Sequence, residues 1–345
     1  MKILLTAIGK RVQLIKYIKK HGEIIGADAG ELAPAIAFVD KFYKIPKCTD
    51  INYIDSLLDI CKKEKIDLLI PLYEREFNTL CNNREKFKEL GTTLLLSHKN
   101  LISICNDKWN TYKFFIENNI NTPISYTKEN IENILNILKD NPEKLNFPFI
   151  LKPLDGMGSA GVFKANNKTQ LDFFKDYIKE PIIQEFVEGT EYTIDVLCDL
   201  KGEIISIVPR ERIEVRSGEV SKSKTVNHKE IIKATLNLVN KLKQHIEEYK
   251  VYCKVASKNF NTLQLEKDEA SVIGPLTIQC IVTKEKEIKF IEINPRFGGG
   301  VPLSFEAGVD YGEYFKCMVE KRQIKPIIGD FKEITMLRYD EAIFM

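Results

Sequence analysis

Histidine is scarce in this chain, with four in 345 residues, and tryptophan occurs once. His21, His98, His228 and His245 do not fall into a nucleophile–base pattern, so no Ser-His-Asp or Cys-His centre is expected. A dominant charge is missing too. The 51 basic and 49 acidic residues leave a net +2, which offers no electrostatic reason to invoke nucleic acid or an anionic membrane as partner. No apolar run reaches 18 residues, so no transmembrane helix is expected. The opening MKILLTAIGKRV is interrupted at Gly9-Lys10-Arg11 and reads as a first strand rather than a signal peptide. Eight cysteines are scattered with no CxxC pair, which argues against zinc and for small buried or half-buried thiols in a reducing cytoplasm. There is no internal repeat and no low-complexity segment.

What is present is an ordinary globular composition, 44% apolar and 29% charged, with length for two or three domains. The first hundred or so residues alternate strand and helix: Lys2–Leu5, Val12–Lys20, Glu23–Ala27, Asn52–Lys65, Ile66–Pro71, Phe77–Leu90 and Thr93–Leu96. That rhythm predicts an open, mostly parallel sheet, whose ligands sit at the carboxyl ends of the strands. The loops there are 6–11, Asp28 and 71–76, and they are candidate substrate contacts. For Asp28, Glu74 and Glu76, helix capping or plain surface charge is an equal alternative.

Asn106 or Asp107 can cap a helix over 110–118, with Lys108 in its first turn, where the helix dipole disfavours a cation. After a polar helix over 128–140, an apolar strand over 147–153 ends in Lys152-Pro153 and runs into Gly156, Gly158 and Gly161. This is formally GxGxxG, but Val162–Ala165 reads as a strand, where the dinucleotide fingerprint needs a helix. A strand–glycine loop–strand is instead a flap whose bare N–H groups can approach phosphate. Further on, a strand from Pro181 exits into an acidic turn, Tyr192–Leu197 and Glu203–Pro209 form a hairpin about Gly202, and Arg210 and Arg212 close it. Lys222–Lys224 falls in a polar loop, Lys229–Lys243 is an amphipathic helix, and residues 245–271 show no clear period.

The most informative stretch is IKFIEINPRFGGG, residues 288–300. Glu292 and Asn294 are two apart on a predicted strand, so they share a face. A hairpin turning at 284–287 sets Gln279 nearly opposite Glu292, which converges three oxygen-bearing side chains. Such a set, followed by Arg296, suits a hard cation and a phosphate. The three glycines read as a place of close backbone approach to a substrate.

With Lys108, Lys152, the glycine flap, Gln279 and the run Glu292-Ile-Asn-Pro-Arg296 in this order, the chain resembles the ATP-grasp superfamily, and within it the stand-alone carboxylate–amine ligases similar to the synthetase domains of the carbamoyl-phosphate synthase large subunit. The resemblance implies an α/β fold, α+β in its C-terminal part. Its domains would be an N-terminal Rossmann-like pre-ATP-grasp sheet over 1–105, a central lobe with the flap over 106–188, and a C-terminal lobe with an antiparallel sheet and metal site over 189–345. It implies ATP with magnesium, or manganese in its place. Lys108, Lys152, Gly156, Gly158, Ser159 and Gly161 would bind the phosphates, Glu185 and Val187 the adenine, and Glu191 the ribose. Gln279, Glu292 and Asn294 would hold the metal. Arg296 and Lys152 would act in phosphoryl transfer, with Arg210 and Arg212 near the acyl phosphate or the substrate carboxylate. The implied activity is activation of a small carboxylate, such as an amino acid, as an acyl phosphate and its ligation to an amine, in the cytoplasm and compatible with a homodimer. Carbamoyl-phosphate-like synthesis, simple carboxylate phosphorylation and a non-catalytic ATP-binding module are the alternatives.

Overall fold

The computed structural model describes residues 1–137, 145–156, 158, 160–260 and 270–344, without the side chains of 136, 137 and 253–260. The N-terminal part is a five-stranded sheet of β1 (Lys2–Thr6), β2 (Glu23–Asp28), β3 (Lys41–Lys44), β4 (Leu68–Pro71) and β5 (Thr93–Leu94). Its order is β3-β2-β1-β4-β5 and every pairing is parallel. Ile3, Leu4, Leu5, Ile24, Ile25, Leu68, Leu69 and Ile70 are all fully buried, as expected of a parallel sheet covered on both faces. Thr6 lies level with Ala27 and Pro71, so the loops leaving β1, β2 and β4 gather on one edge.

Two details depart from the sequence reading. β3, with the sequence KFYK, is a half-exposed edge strand with only two apolar residues, too little for a pattern to show. The helix expected over 77–90 is broken at Asn83, which leaves helical geometry and turns its amide nitrogen onto the Thr79 carbonyl at 2.9 Å.

The central part is a four-stranded antiparallel sheet, β6 (Ser125–Thr127), β7 (Phe149–Pro153), β8 (Phe163–Ala165) and β9 (Pro181–Glu185), in the order β6-β9-β7-β8. The C-terminal sheet has seven strands. They are β10 (Gly189–Cys198), β11 (Ile204–Arg216), β12 (Glu219–Thr225), β13 (Gly274–Thr283), β14 (Ile288–Asn294), β15 (Ile327–Ile328) and β16 (Thr335–Leu337). The order is β14-β13-β10-β11-β12-β16, with β15 beside β11.

Arg210 and Arg212 therefore sit inside β11 rather than beyond its end, and Lys222–Lys224 belongs to β12 rather than to a loop. The cause is a two-residue turn, Ser217-Gly218, with both φ angles positive, which folds β11 tightly onto β12. The helix read as ending at Lys243 continues to Phe260. Buried Leu238, Val239, Leu242 and Ile246 carry the helical spacing past 243. Of the unplaced segment 245–271, residues 261–269 lie outside the described residues. Among the described residues, seven cysteines are free thiols, and no helix is long and apolar enough to cross a membrane.

Candidate active site

β13 and β14 bring the oxygen-bearing side chains together. Gln279 pairs with Glu292 and Thr277 with Asn294 in an antiparallel register that slips between Gln279 and Cys280. Ile291 is the residue left without a partner, so Phe290 and Ile293 both reach the core while Glu292 and Asn294 face the other way. The Asn294 amide nitrogen donates to Glu292 Oε1 at 2.7 Å, which leaves the amide oxygen free to turn to a cation. Among the described residues, no three His, Cys, Asp or Glu side chains form a metal cluster. One carboxylate and two amides are a thin donor set. It fits magnesium that arrives with phosphate oxygens of a nucleotide rather than a cation caged by the protein alone.

Two lysines face this carboxylate. Lys152, on β7, is 8% exposed, and its Nζ donates to Gln184 Oε1 at 3.2 Å. Gln184 is held in turn by its amide nitrogen donating to Ser125 Oγ at 2.9 Å. Burial pushes the Lys152 ammonium down to about 8, and Lys108 adds to this, against the attraction of Glu292 and Glu191. Burial opposes ionisation of Glu292 as well, but Lys152, Lys108, the Asn294 amide and Arg296 outweigh it and hold its pKa below the ordinary value. A half-buried carboxylate kept charged by surrounding cations is a poised electrostatic site.

Lys108 starts the helix Lys108–Glu117, whose cap is Asp107, accepting from the Asn110 N–H at 2.9 Å. Its cation at the wrong end of a helix dipole is compensated by carbonyls. Nζ donates to Gly156 O at 2.6 Å and to Leu154 O at 3.2 Å. Lys108 thus grips the base of the glycine loop. Gly158 and Gly161 have φ of +62° and +72°, the conformation that only glycine adopts without strain. A side chain at Gly156 or Gly161 would also press on the Pro153 ring. Ser159 lies outside the described residues.

The link from β9 to β10 passes through Glu185 and Val187 beside the 283–289 turn, with Lys289 Nζ donating to Glu185 Oε1 at 2.7 Å. Glu191, on β10, forms an ion pair with Arg212 Nε at 3.0 Å. Arg212 also donates to Thr193 Oγ1 and to Gly218 O. Burial raises the Glu191 pKa, with Glu292 adding to it against Arg212 and Lys152.

Arg296 reaches across to the N-terminal sheet. Its Nε donates to Glu74 Oε1 at 2.6 Å, a contact between residues 222 apart in sequence. Of the acids at the strand ends, then, Glu74 is the one that contacts Arg296. Glu76 is buried beneath it, accepting from Thr6, Tyr53 and the backbone of Leu72 and Tyr73. Asp28 ties two loops together by accepting from the N–H groups of Gly9 and Gly30.

Arg210 differs most from expectation. It is 1% exposed and bound bidentately by Asp195, at 2.7 and 2.9 Å, and Asp195 accepts in addition from Ser304 Oγ at 2.6 Å. A Cβ at Gly300 would stand 2.3 Å from Arg210 Nη1, and one at Gly299 3.2 Å from the Glu219 carboxyl carbon. The glycines read as a site of substrate approach instead make room for Arg210 and Glu219. Sequence reasoning also passed over Gln184, Ser125 and Arg338, whereas Arg11, which with Arg338 faces Glu219, closes the 6–11 loop expected to contact substrate. Gln184 alone carried a signal, as a polar residue inside an apolar strand.

The PylC-like N-terminal domain family matches residues 3–95 and the ATP-grasp domain family residues 105–249. The chain is 30% identical to the D-alanine–D-alanine ligase of Pelagibacter ubique over 129 residues, 36% of this chain and 42% of that protein. It is 25% identical to the arginine-specific large chain of carbamoyl phosphate synthase from Halalkalibacterium halodurans, over 74% of this chain and 22% of that one. It thus spans less than half the length of either relative. In fold it is similar to N5-carboxyaminoimidazole synthetase from Staphylococcus aureus, solved with ADP, with a TM-score of 0.70 and 17% identity over 98% of this chain and 82% of that one.

Proposed function

The chain belongs to the ATP-grasp superfamily, and from that premise we propose that it is an ATP- and magnesium-dependent ligase that activates a small carboxylate and joins it to an amine. The observation that carries this reading is the half-buried, ionised Glu292 facing Lys152, Lys108 and Arg296, with Gln279 and Asn294 on the same face. Such a site neutralises phosphate charge and offers no acid, base or nucleophile of its own, which is what phosphoryl transfer requires.

In the proposed reaction a carboxylate oxygen attacks the γ-phosphorus of ATP and ADP leaves. The amine nitrogen then attacks the acyl carbon of the acyl phosphate, phosphate departs and the nitrogen loses a proton. Lys108 and Lys152 hold phosphate oxygens, and Arg296, fixed by Glu74, faces the transferred group. Gln279, Glu292 and Asn294 would hold magnesium, which when bound spreads the developing phosphate charge. The Gly156–Gly161 loop covers the phosphates and excludes water. Glu185 and Val187 line the adenine and Glu191 the ribose. Arg212 orients Glu191. Arg210 takes a positioning role, setting the glycines that follow Arg296. The three expected domains, 1–105, 106–188 and 189–345, each carry one sheet, and the nucleotide would lie between the last two.

ADP release across a panel of small acids and amines tests this. Release that depends on both an acid and an amine supports ligation. Release with an acid alone would point to carboxylate phosphorylation, and release with bicarbonate and ammonia to carbamoyl-phosphate chemistry. ATP binding without any release would leave a regulatory module.

A further inference from the structure

Beyond Arg296 the site edge holds charges that the phosphoryl-transfer account does not use. Arg11 leaves the end of β1, next to the β4 loop that carries Glu74. Arg338 follows β16 and lies outside the segments that the two families match. Its Nη1 donates to Glu219 Oε2 at 2.8 Å and to Val220 O at 3.3 Å. Glu219 in turn abuts Gly299, three residues after Arg296. Arg11 is close enough to Arg296, Arg338, Glu74 and Glu219 to feel all four charges.

The pairing within this group is incomplete. Arg296 has Glu74 and Arg338 has Glu219. The Arg11 guanidinium, half-buried, makes no hydrogen bond or ion pair among the described residues. Burial, Arg296 and Arg338 work against its charge, and Glu219 and Glu74 offset this only in part, so an anion here would relieve the remaining electrostatic cost. A guanidinium without a partner, set among acids that already accept, is complementary to a zwitterion. Its carboxylate would meet Arg11 as a planar bidentate match, and its amino group would meet the acids. Ammonia or a plain alkylamine would leave Arg11 as unpaired as it is now.

We propose that Arg11 and Arg338 form the seat for a carboxylate carried by the acceptor amine, with Glu219 and Glu74 holding its amino group, so that the acceptor is an amino acid. The proposal rests on the ligase reading for the word acceptor, but the seat itself is a binding property that can be measured without turnover.

The test is calorimetric titration of the full chain, with MgADP present, using the common L- and D-amino acids and the primary amide of each. At least one amino acid binds the wild type, and its amide binds about 10- to 100-fold more weakly, the loss of a charge-assisted bidentate contact. In Arg11→Gln and in Arg338→Gln that discrimination disappears. Arg11 makes no side-chain bond among the described residues, so its variant is expected to fold, and MgADP binding verifies it. Equal binding of acid and amide to the wild type, intact discrimination in both variants, or no binding by any amino acid would each overturn the proposal. Loss of MgADP binding with Arg11→Gln in a protein that still melts cooperatively would overturn it too, since Arg11 would then serve the nucleotide. Amino-acid binding without ADP release would sink the ligase reading while leaving the seat in place.

Discussion

Replacing Glu76 by glutamine should stabilise the protein at alkaline pH and leave its stability unchanged at acid pH. Glu76 is 2% exposed. Its Oε1 accepts from Thr6 Oγ1 at 2.7 Å and from the N–H groups of Leu72 and Tyr73, each at 3.2 Å, and its Oε2 accepts from the Tyr53 hydroxyl. Burial lifts its pKa from 4.5 to about 7, although these hydrogen bonds pull the other way. The folded protein therefore keeps a proton that the unfolded chain releases at lower pH. The stabilising contribution is full below 4.5 and is lost as pH rises through about 7. A shift of that size corresponds to roughly 3 kcal/mol between the two limits.

A glutamine carbonyl can accept from the same three donors, and its amide can donate to the Tyr53 hydroxyl oxygen, so the variant keeps the network without the charge. Urea unfolding followed by circular dichroism at pH 5, 6, 7 and 8.5 is the assay. Wild type and variant should coincide near the acid end, and the variant should gain up to about 3 kcal/mol by the alkaline end. A variant less stable by the same amount at every pH would refute the reasoning, because Glu76 would then be ionised in the native state with its donors holding the charge. Glu74, which pairs with Arg296, lies two residues away, so the same substitution probes the support beneath the proposed site.

Other expectations follow from the same geometry. Lys152 loses its proton near pH 8 in the free protein, so MgATP-analogue affinity should fall by about tenfold per pH unit above that value. Lys152→Met should bind weakly with a flat profile, and calorimetry between pH 7 and 10 reads both. Gly300→Ala places a Cβ 2.3 Å from Arg210 Nη1 and 2.8 Å from Val220, and should cost about 1–3 kcal/mol by overpacking, read by urea unfolding. Asp195→Ala strands the buried Arg210 charge and should cost about 3–5 kcal/mol, well beyond the effect of Gly300→Ala on the same measurement.

Much of this architecture was legible because it is local. The alternation of apolar runs and helical spacing in the first hundred residues predicts the parallel sheet, and the hairpin about 284–287 predicts that Gln279 faces Glu292. What escaped depends on distant partners. The bulge at Ile291 is invisible in a run of apolar letters, yet it lets Phe290 and Ile293 share the core. The glycines 298–300 suggested a ligand because nothing nearby needed the space. The group that needs it is Arg210, about ninety residues earlier in the chain. Arg338 carries no motif and Arg11 only closes a candidate loop, and the approach of β1 and β16 to the Arg296 turn is what gives them a common environment. Length concealed the helix to Phe260, whose charged surface residues mask the spacing of its buried side.

The proposed ligation depends on Glu292 as the carboxylate that would hold magnesium beside the phosphates. Amine-dependent release of ADP and phosphate by the wild type and by Glu292→Gln, measured side by side, tests it most directly, with urea unfolding showing that both are folded. Stoichiometric release is expected from the wild type and none above background from the variant. Near-native release by Glu292→Gln would contradict it.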